Sequence, residues 1–365
     1  MKWYSSIIDV CKTILRQILL IAVSIGLATL FLWVSGYEPF SILQGMWKGV
    51  TSDLASMVRW STGLILAGLA VCVTFKAEIW NLGIDGQIYM GGAAAAALAL
   101  ALPEGSQFLS VSAMVIVGML AGMLYAMIPA LLKVFFETNE VVSTLLLNFI
   151  AIRFVEYLVS GPMQDPTSIT KLNASQKLPV WTWIPRLKIF DPSPANIGFY
   201  LAIVAVIIIA FVFYKTKLGY EIKIIGTNAN LGVYGGMKPK WVTVMVMCIS
   251  GALAGLIGVI EVAAVQHRLI NAFNPDFGFD GIVVSLLANN NPVGIILSGL
   301  FFGNLRNAGI AMERVTETPS AITDIVMAIV ILTITANFAI PRIRNIVKRK
   351  KMNKELTTNQ AGSEN

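Results

Sequence analysis

The chain has 365 residues, 56% of them hydrophobic and 13% charged, with a formal net charge of +7 and a mean hydropathy of +0.74. A soluble domain carries about 25% charged residues, so the composition excludes a chain solvated mainly by water and points to an all-α integral membrane protein. The positive charge does not point to nucleic acid as a partner, because Arg342, Arg344, Lys348, Arg349, Lys350, Lys351 and Lys354 crowd one terminus with no aromatic residue among them for a base to stack on.

The first apolar run, about 14–35, follows Lys2, Lys12 and Arg16. Its length and the lack of a clean small-x-small cleavage site read as an uncleaved first spanning helix with a cytoplasmic N-terminus. In the segment that follows, Ile42, Leu43, Met46, Trp47 and Val50 recur at helical spacing, as in an amphipathic helix lying in the outer interface. Spanning helices are predicted at about 58–76, 87–102, 109–132 and 140–159. Residues 160–196 are proline-rich and read as an extracytoplasmic loop, with Trp181 and Trp183 at the membrane surface. Asn173-Ala174-Ser175 within it fits the short glycosylation pattern, which carries little weight.

A further helix is predicted at about 197–214. Residues 215–240 hold five lysines and one glutamate, so they belong on the cytoplasmic side. A helix start and a glycine stop bracket Asn228–Tyr234. Two readings stand there: a short helix that docks on a soluble partner, or a solvated loop. Apolar runs at 241–264, 279–288, 293–311 and 321–340 complete the series, and the basic tail beyond them carries the charge of a cytoplasmic terminus.

With both termini on one side, the number of crossings is even. Counting 279–288 gives ten helices, yet that stretch rises only about 18 Å at 1.5 Å per residue, short of the ~30 Å hydrocarbon core. It is therefore expected to be broken or to start below the surface, where protein or a water-filled cavity shields it. Its first residues belong to "DFGFDGIVVSLL", which echoes "NLGIDGQIYMGG" at 81–92. Gly83-Ile84-Asp85-Gly86 matches Gly278-Phe279-Asp280-Gly281, Gly118 and Gly122 match Gly299 and Gly303, and Glu137-Thr138 matches Glu317-Thr318. The matched helices run in opposite directions, so the expectation is a five-plus-five inverted repeat with short or broken helices near the midplane, a pattern of transporters. The chain then divides into 1–57 (first helix and interfacial segment), 58–159 (first repeat), 160–196 (outer loop), 197–240 (a helix and the cytoplasmic loop), 241–340 (second repeat) and 341–365 (tail).

No Walker A pattern, no metal-spaced cluster and no nucleophile–base set occurs. Cys11, Cys72, Cys248 and the single His267 form neither a disulfide framework nor a zinc site. No enzyme activity, catalytic residue, metal or cofactor is expected of this chain. Glu78, Asp85, Glu140, Glu156, Glu261, Asp280 and Asp324 lie in or beside apolar runs, where a carboxylate costs roughly 2.5–3.5 kcal/mol at the bilayer centre and is a functional candidate. Asp85 and Asp280 read equally as helix caps and as lining of the transport path. Asn81, Gln87, Asn139, Asn148 and Asn289–Asn291 offer amides to a neutral polyhydroxyl substrate, with Trp80 and Tyr89 to stack on it, or else join helices. The glycine pairs read as close helix packing.

The blocks "NLGIDGQIYMGG", "TNEVVSTLLLNFIA", "GTNANLGVYGGMKPKWVTVMVMCISGALAGLIGVIE" and "GFDGIVVSLLANNNPVGIILSGLFFGNL" resemble permease subunits of ATP-binding-cassette importers. The branch is that of branched-chain amino acid and simple-sugar permeases, nucleoside/simple-sugar group, and the resemblance covers about 60–335. It implies a bacterial plasma-membrane subunit working with a second permease, an ATPase that binds ATP and Mg, and an extracytoplasmic substrate-binding lipoprotein. It also places a coupling helix for the ATPase around Gly226, Asn228 and Gly235. The expected substrate path passes Asn81, Asp85, Gln87, Asn148 and Asp280. Nucleosides are the expected cargo; a simple sugar such as ribose, a branched-chain amino acid, or an ATP-independent secondary carrier are the alternatives.

Overall fold

The computed structural model describes residues 53–166, 173–190 and 194–316, with isolated positions on either side. The interfacial segment, most of the first predicted helix, Glu317-Thr318, most of the predicted helix at 321–340 and the basic tail lie outside the described residues. Residues 50–307 form one compact unit, which contains every feature below.

Its helices are α1 (Leu54–Phe75), α2 (Ile84–Ala101), α3 (Gln107–Phe136), α4 (Glu140–Ser160), α5 (Gly198–Lys215), α6 (Lys217–Thr227), α7 (Ala229–Tyr234), α8 (Pro239–Ile260), α9 (Phe277–Leu287) and α10 (Gly294–Thr316), the last of which continues beyond the unit. Six of the described helices are long and apolar enough to cross a membrane, α8 being counted together with the wider turn Glu261–Gln266 that continues it. The protein is an all-α multi-pass membrane protein.

Two kinds of spanning helix follow from their surroundings. The most apolar windows of α1 and α8 are 89% and 83% buried, whereas those of α3, α4 and α5 are 22–28% buried. The first pair forms the interior. The second group turns Leu120, Leu146, Phe149, Ile207 and Phe211 outward, which is favourable only against lipid tails.

Small residues set the interior packing. A Cβ on Gly255 would strike the carbonyl oxygen of Gly118, and one on Gly122 would strike that of Gly251. The backbones of α3 and α8 therefore touch, the close approach that Gly-x-x-x-Gly permits. At the other end of the chain, Gly299 and Gly303 of α10 lie against Ile65 and Ser61 of α1. Thus α3 packs on the helix that follows the 215–238 segment, and α10 packs on the helix that precedes α2.

Candidate functional site

Two short backbone breaks enter the helical interior from opposite ends. Residues 76–83 lead from α1 into α2. Asn81 in this stretch is fully buried and donates to Ser250 Oγ at 3.0 Å. Ser250 lies eleven residues into α8, about 16 Å from its start at 1.5 Å per residue. Residues 267–276 lead into α9, whose first side chain, Phe277, lies against Gly63. Gly63 lies nine residues into α1, about 14 Å from its start. Both breaks end near the middle of the long helices beside them.

The first break is held by amides. Asn81 and Gln87 exchange reciprocal side-chain hydrogen bonds, Nδ2 to Oε1 at 3.2 Å and Nε2 to Oδ1 at 3.1 Å. Asn81 Oδ1 also accepts the N–H of Gly83 at 3.0 Å. From α4, Asn148 accepts the N–H of Gly86 and donates to the carbonyl of Leu82, both at 2.7 Å, while Thr144 Oγ1 accepts the N–H of Leu82 at 3.2 Å. These partners satisfy backbone groups that a helix start leaves free and that hydrocarbon cannot hydrate. A Cβ on Gly86 would fall 2.9 Å from Asn148 Oδ1, so glycine is what allows α4 this close.

Asp85 does not cap its own helix: α2 starts at Ile84, and the cap position is Gly83. The carboxylate turns instead to the second break. Its Oδ1 accepts Asn274 Nδ2 at 2.6 Å and the backbone N–H of Gly278 at 2.8 Å, and Asn274 Oδ1 accepts the N–H of Phe277 at 3.3 Å. The cap residue of α9, Asp276, has a positive φ of 60° and makes no side-chain cap bond. Asp85 thus serves the N-terminus of a helix 193 residues away in the chain. Hydrogen bonds to a charged group contribute about 1.5–3 kcal/mol each, enough for two of them to offset the roughly 2.5–3.5 kcal/mol of placing a carboxylate at the bilayer centre. Gly278 permits the contact, since a Cβ there would lie 2.6 Å from the Asp85 carboxyl carbon. Tyr89 and Phe273 close the junction edge to face, with centroids 4.8 Å apart; Trp80 pairs with Phe75 instead.

Asp280, the matching acid of the second stretch, pairs with Arg306 of α10 at 2.5 Å, and Arg306 also donates to the carbonyl of Pro275 at 2.9 Å. A second pair joins Arg59 of α1 to Glu261 at 2.7 Å, with side chains only 8% and 3% exposed. Both guanidiniums lie over the ring of Trp60, at 3.7 and 4.6 Å from its centroid. Arg59, Arg306 and Asn274 escaped the sequence reading. A cation in an apolar run is itself a signal, and both Arg59 and Arg306 carried it; Asn274 lies in an irregular loop.

The irregular segment between α4 and α5 is tied to the second break. Ser175 donates its N–H to the carbonyl of Leu269, Leu178 to that of His267 and Ile184 to that of Ala263. Trp183, half-buried, stacks on His267 at 3.9 Å and donates from Nε1 to the carbonyl of Leu178, so it props this segment against the second break. Burial, aided by Arg186 and Lys177, holds the His267 imidazole below its usual pKa.

At the far end, Gly226 presses on the carbonyl of Lys76, where α1 ends. Asn228 caps α7 by accepting the N–H groups of Asn230 and Leu231, and Gly235 closes it on the carbonyl of Leu231. This six-residue helix leaves Leu231, Val233 and Tyr234 more than half exposed.

Several membrane helices enclosing two paired breaks describe a transport protein. The sequence pattern of the branched-chain amino acid transport system / permease component family matches residues 54–335, and the chain belongs to that family: it is a permease, not an enzyme. It is 32% identical over 343 residues to the guanosine ABC transporter permease protein NupP of Bacillus subtilis, covering 92% of this chain and 97% of that one. It is 31% identical to the nucleoside ABC transporter permease protein NupB of Lactococcus lactis, over 88% and 91% of the two chains. The glucose ABC transporter permease protein TsgB13 of Haloferax volcanii is 35% identical over 75% of this chain and 74% of its own. No solved structure matches the chain.

Proposed function

We propose that the protein is the membrane subunit of an ATP-driven importer of nucleosides, and that substrate crosses where the breaks at Asn81–Gln87 and Gly278–Gly281 meet. The observation that carries this reading is the contact of Asp85 with Gly278 and Asn274, beside relatives named for guanosine and nucleosides. Asn81, Gln87 and Asn148 shape the path wall, Asp85 joins its two sides, and Asp280 with Arg306 supports the second side.

In this reading the chain has ten spanning helices in a five-plus-five inverted repeat. The reciprocal glycine contacts of α3 with α8 and of α10 with α1 support it. The chain itself takes no cofactor; ATP and Mg bind a separate ATPase. Gly226, Asn228 and Gly235 set α7 for docking on that ATPase, and the exposed Leu231, Val233 and Tyr234 are its contact. A second permease completes the path, and an extracytoplasmic lipoprotein delivers substrate. The complex resides in a bacterial plasma membrane with both termini of this subunit cytoplasmic. ATP binding and hydrolysis would then drive the alternation between outward and inward access.

A simple sugar is the second reading, favoured by the glucose permease among the relatives. Uptake of labelled guanosine and uridine by cells lacking this subunit, with and without its restored gene, tests the choice. Uptake should vanish and return, and unlabelled nucleoside should compete where ribose, glucose and leucine do not. Unchanged nucleoside uptake in the deletion strain, or competition by ribose alone, contradicts the nucleoside reading. Transport by this subunit alone in liposomes under an ion gradient would make it a secondary carrier.

A further inference from the structure

A cavity of about 620 Å³ opens between the start of α6 and the start of α8, lined by Lys217, Leu218, Glu221, Lys238, Trp241 and Met245 among others. We propose that it seats the phosphate headgroup of an anionic phospholipid from the adjoining leaflet. The proposal stands apart from the identity of the transported substrate.

Three observations point to this ligand. Charge comes first: Lys217 and Lys238 face the cavity, and the one acid that lines it, Glu221, lies 3.6 Å from Lys217 with its side chain only 16% exposed. The second is the backbone. Lys238 occupies the cap position of α8 and makes no side-chain cap bond, and Pro239 after it has no N–H, so the N–H groups of Lys240 and Trp241 are the ones that lack the usual side-chain acceptor. An anion supplies what that helix start lacks. The third is the apolar wall. Trp241 is 59% exposed where the spanning helix begins, the depth at which tryptophan sits between headgroup and acyl chain. Met245, one turn further along α8, continues that wall along the spanning helix. A soluble anion has no use for such a wall, whereas a lipid places its phosphate at the lysines and its chain along α8. Basic pockets beside membrane helices take anionic headgroups in this way.

The test uses the complete transporter, purified from nanodiscs of mixed phosphatidylcholine and phosphatidylglycerol and examined by native mass spectrometry. Wild type should retain one phosphatidylglycerol through delipidation. Retention should fall roughly ten-fold in the Lys217→Gln/Lys238→Gln variant and fall again with Trp241→Ala, while Lys188→Gln in the outer loop leaves it unchanged. An unaltered melting temperature in the double variant separates lost binding from misfolding. Millimolar inorganic phosphate should not displace the lipid. Equal retention in wild type and double variant overturns the proposal. So does displacement by phosphate, which would mark a soluble-anion site. Retention seen only after the ATPase is stripped away also overturns it, because the surface would then belong to that partner.

Discussion

Asp85 Oδ1 accepts the backbone N–H of Gly278 at 2.8 Å, so the two Gly-x-Asp-Gly stretches of this chain touch one another. The acid of the first stretch stands where the second lacks a cap. Joined in this way, the breaks form one junction between α2 and α9, and any motion that parts them must break charge-assisted hydrogen bonds in a poorly hydrated setting.

Replacing Gly278 by alanine drives a methyl group into that junction, 2.6 Å from the Asp85 carboxyl carbon. Overpacking of this kind costs about 1–3 kcal/mol. Gly278→Ala is expected to lower the melting temperature of the purified complex and to cut substrate-stimulated ATPase activity several-fold. Gly236→Ala is its control, since that glycine meets no neighbour but must strain at a φ of +75°. It should disturb the link between α7 and α8 alone.

The Arg59–Glu261 pair predicts a non-additive pattern. Removing one partner leaves a buried, uncompensated charge and costs about 3–5 kcal/mol, whereas replacing both with apolar residues of similar volume is often neutral. Arg59→Met and Glu261→Leu should each destabilise the complex strongly in a thermal-shift assay. The double variant should recover most of the loss. Additive losses would show that the pair is not a coupled unit.

Asn228 stabilises α7 through two N–H groups, and loss of such a cap costs about 1 kcal/mol. Asn228→Ala should therefore fray α7. Substrate-stimulated ATP hydrolysis in the reconstituted complex should drop while the basal rate of the ATPase holds. Asn228→Ser, which keeps an acceptor, should restore the stimulation.

His267 gives the segment between α4 and α5 a pH dependence. Its folded pKa lies below the unfolded value of about 6.5, so the fold binds fewer protons there than the unfolded chain. The stabilisation is complete above that value and is lost as pH falls from about 6.5 through the lower, folded pKa. Hydrogen exchange across residues 173–184, normalised to the intrinsic amide rate at each pH, should accelerate from pH 7.5 to pH 5.5, roughly the range over which an ordinary histidine titrates. His267→Gln should remove the acceleration.

Much of the fold was legible because apolar run length and helix length obey the same bilayer constraint. The predicted helix at 58–76 is α1 at Leu54–Phe75, and that at 140–159 is α4 at Glu140–Ser160. The short run at 279–288 is α9, which starts inside the protein, as its length required. The glycine pairs read as packing and do pack. Less legible was the direction of side chains. Local spacing left Asp85 equally a cap for the helix that it precedes and a lining of the path; the helix begins one residue earlier, and the acid serves α9 across the junction. Arg306 stood out only as a cation in an apolar run, and Asn274 carries no local pattern; the meaning of both depends on the acids they reach, Asp280 and Asp85. Trp183 looked interfacial because its loop is irregular. Its partner, His267, lies 84 residues on, and stacking between them cannot be read from either neighbourhood.

The most direct test of the joined breaks is uptake of labelled guanosine by proteoliposomes holding the complete transporter, wild type against Asp85→Asn. The substitution preserves shape and leaves an acceptor for Gly278, but removes the charge that binds Asn274 and Gly278 together. Loss of one charge-assisted hydrogen bond is about 1.5–3 kcal/mol, which lowers the ratio of the joined to the parted state roughly ten-fold or more, and uptake is expected to fall with it while the complex stays assembled. Uptake and stimulated ATPase activity equal to wild type would show that Asp85 only ties the two helices together and that the transport path lies elsewhere.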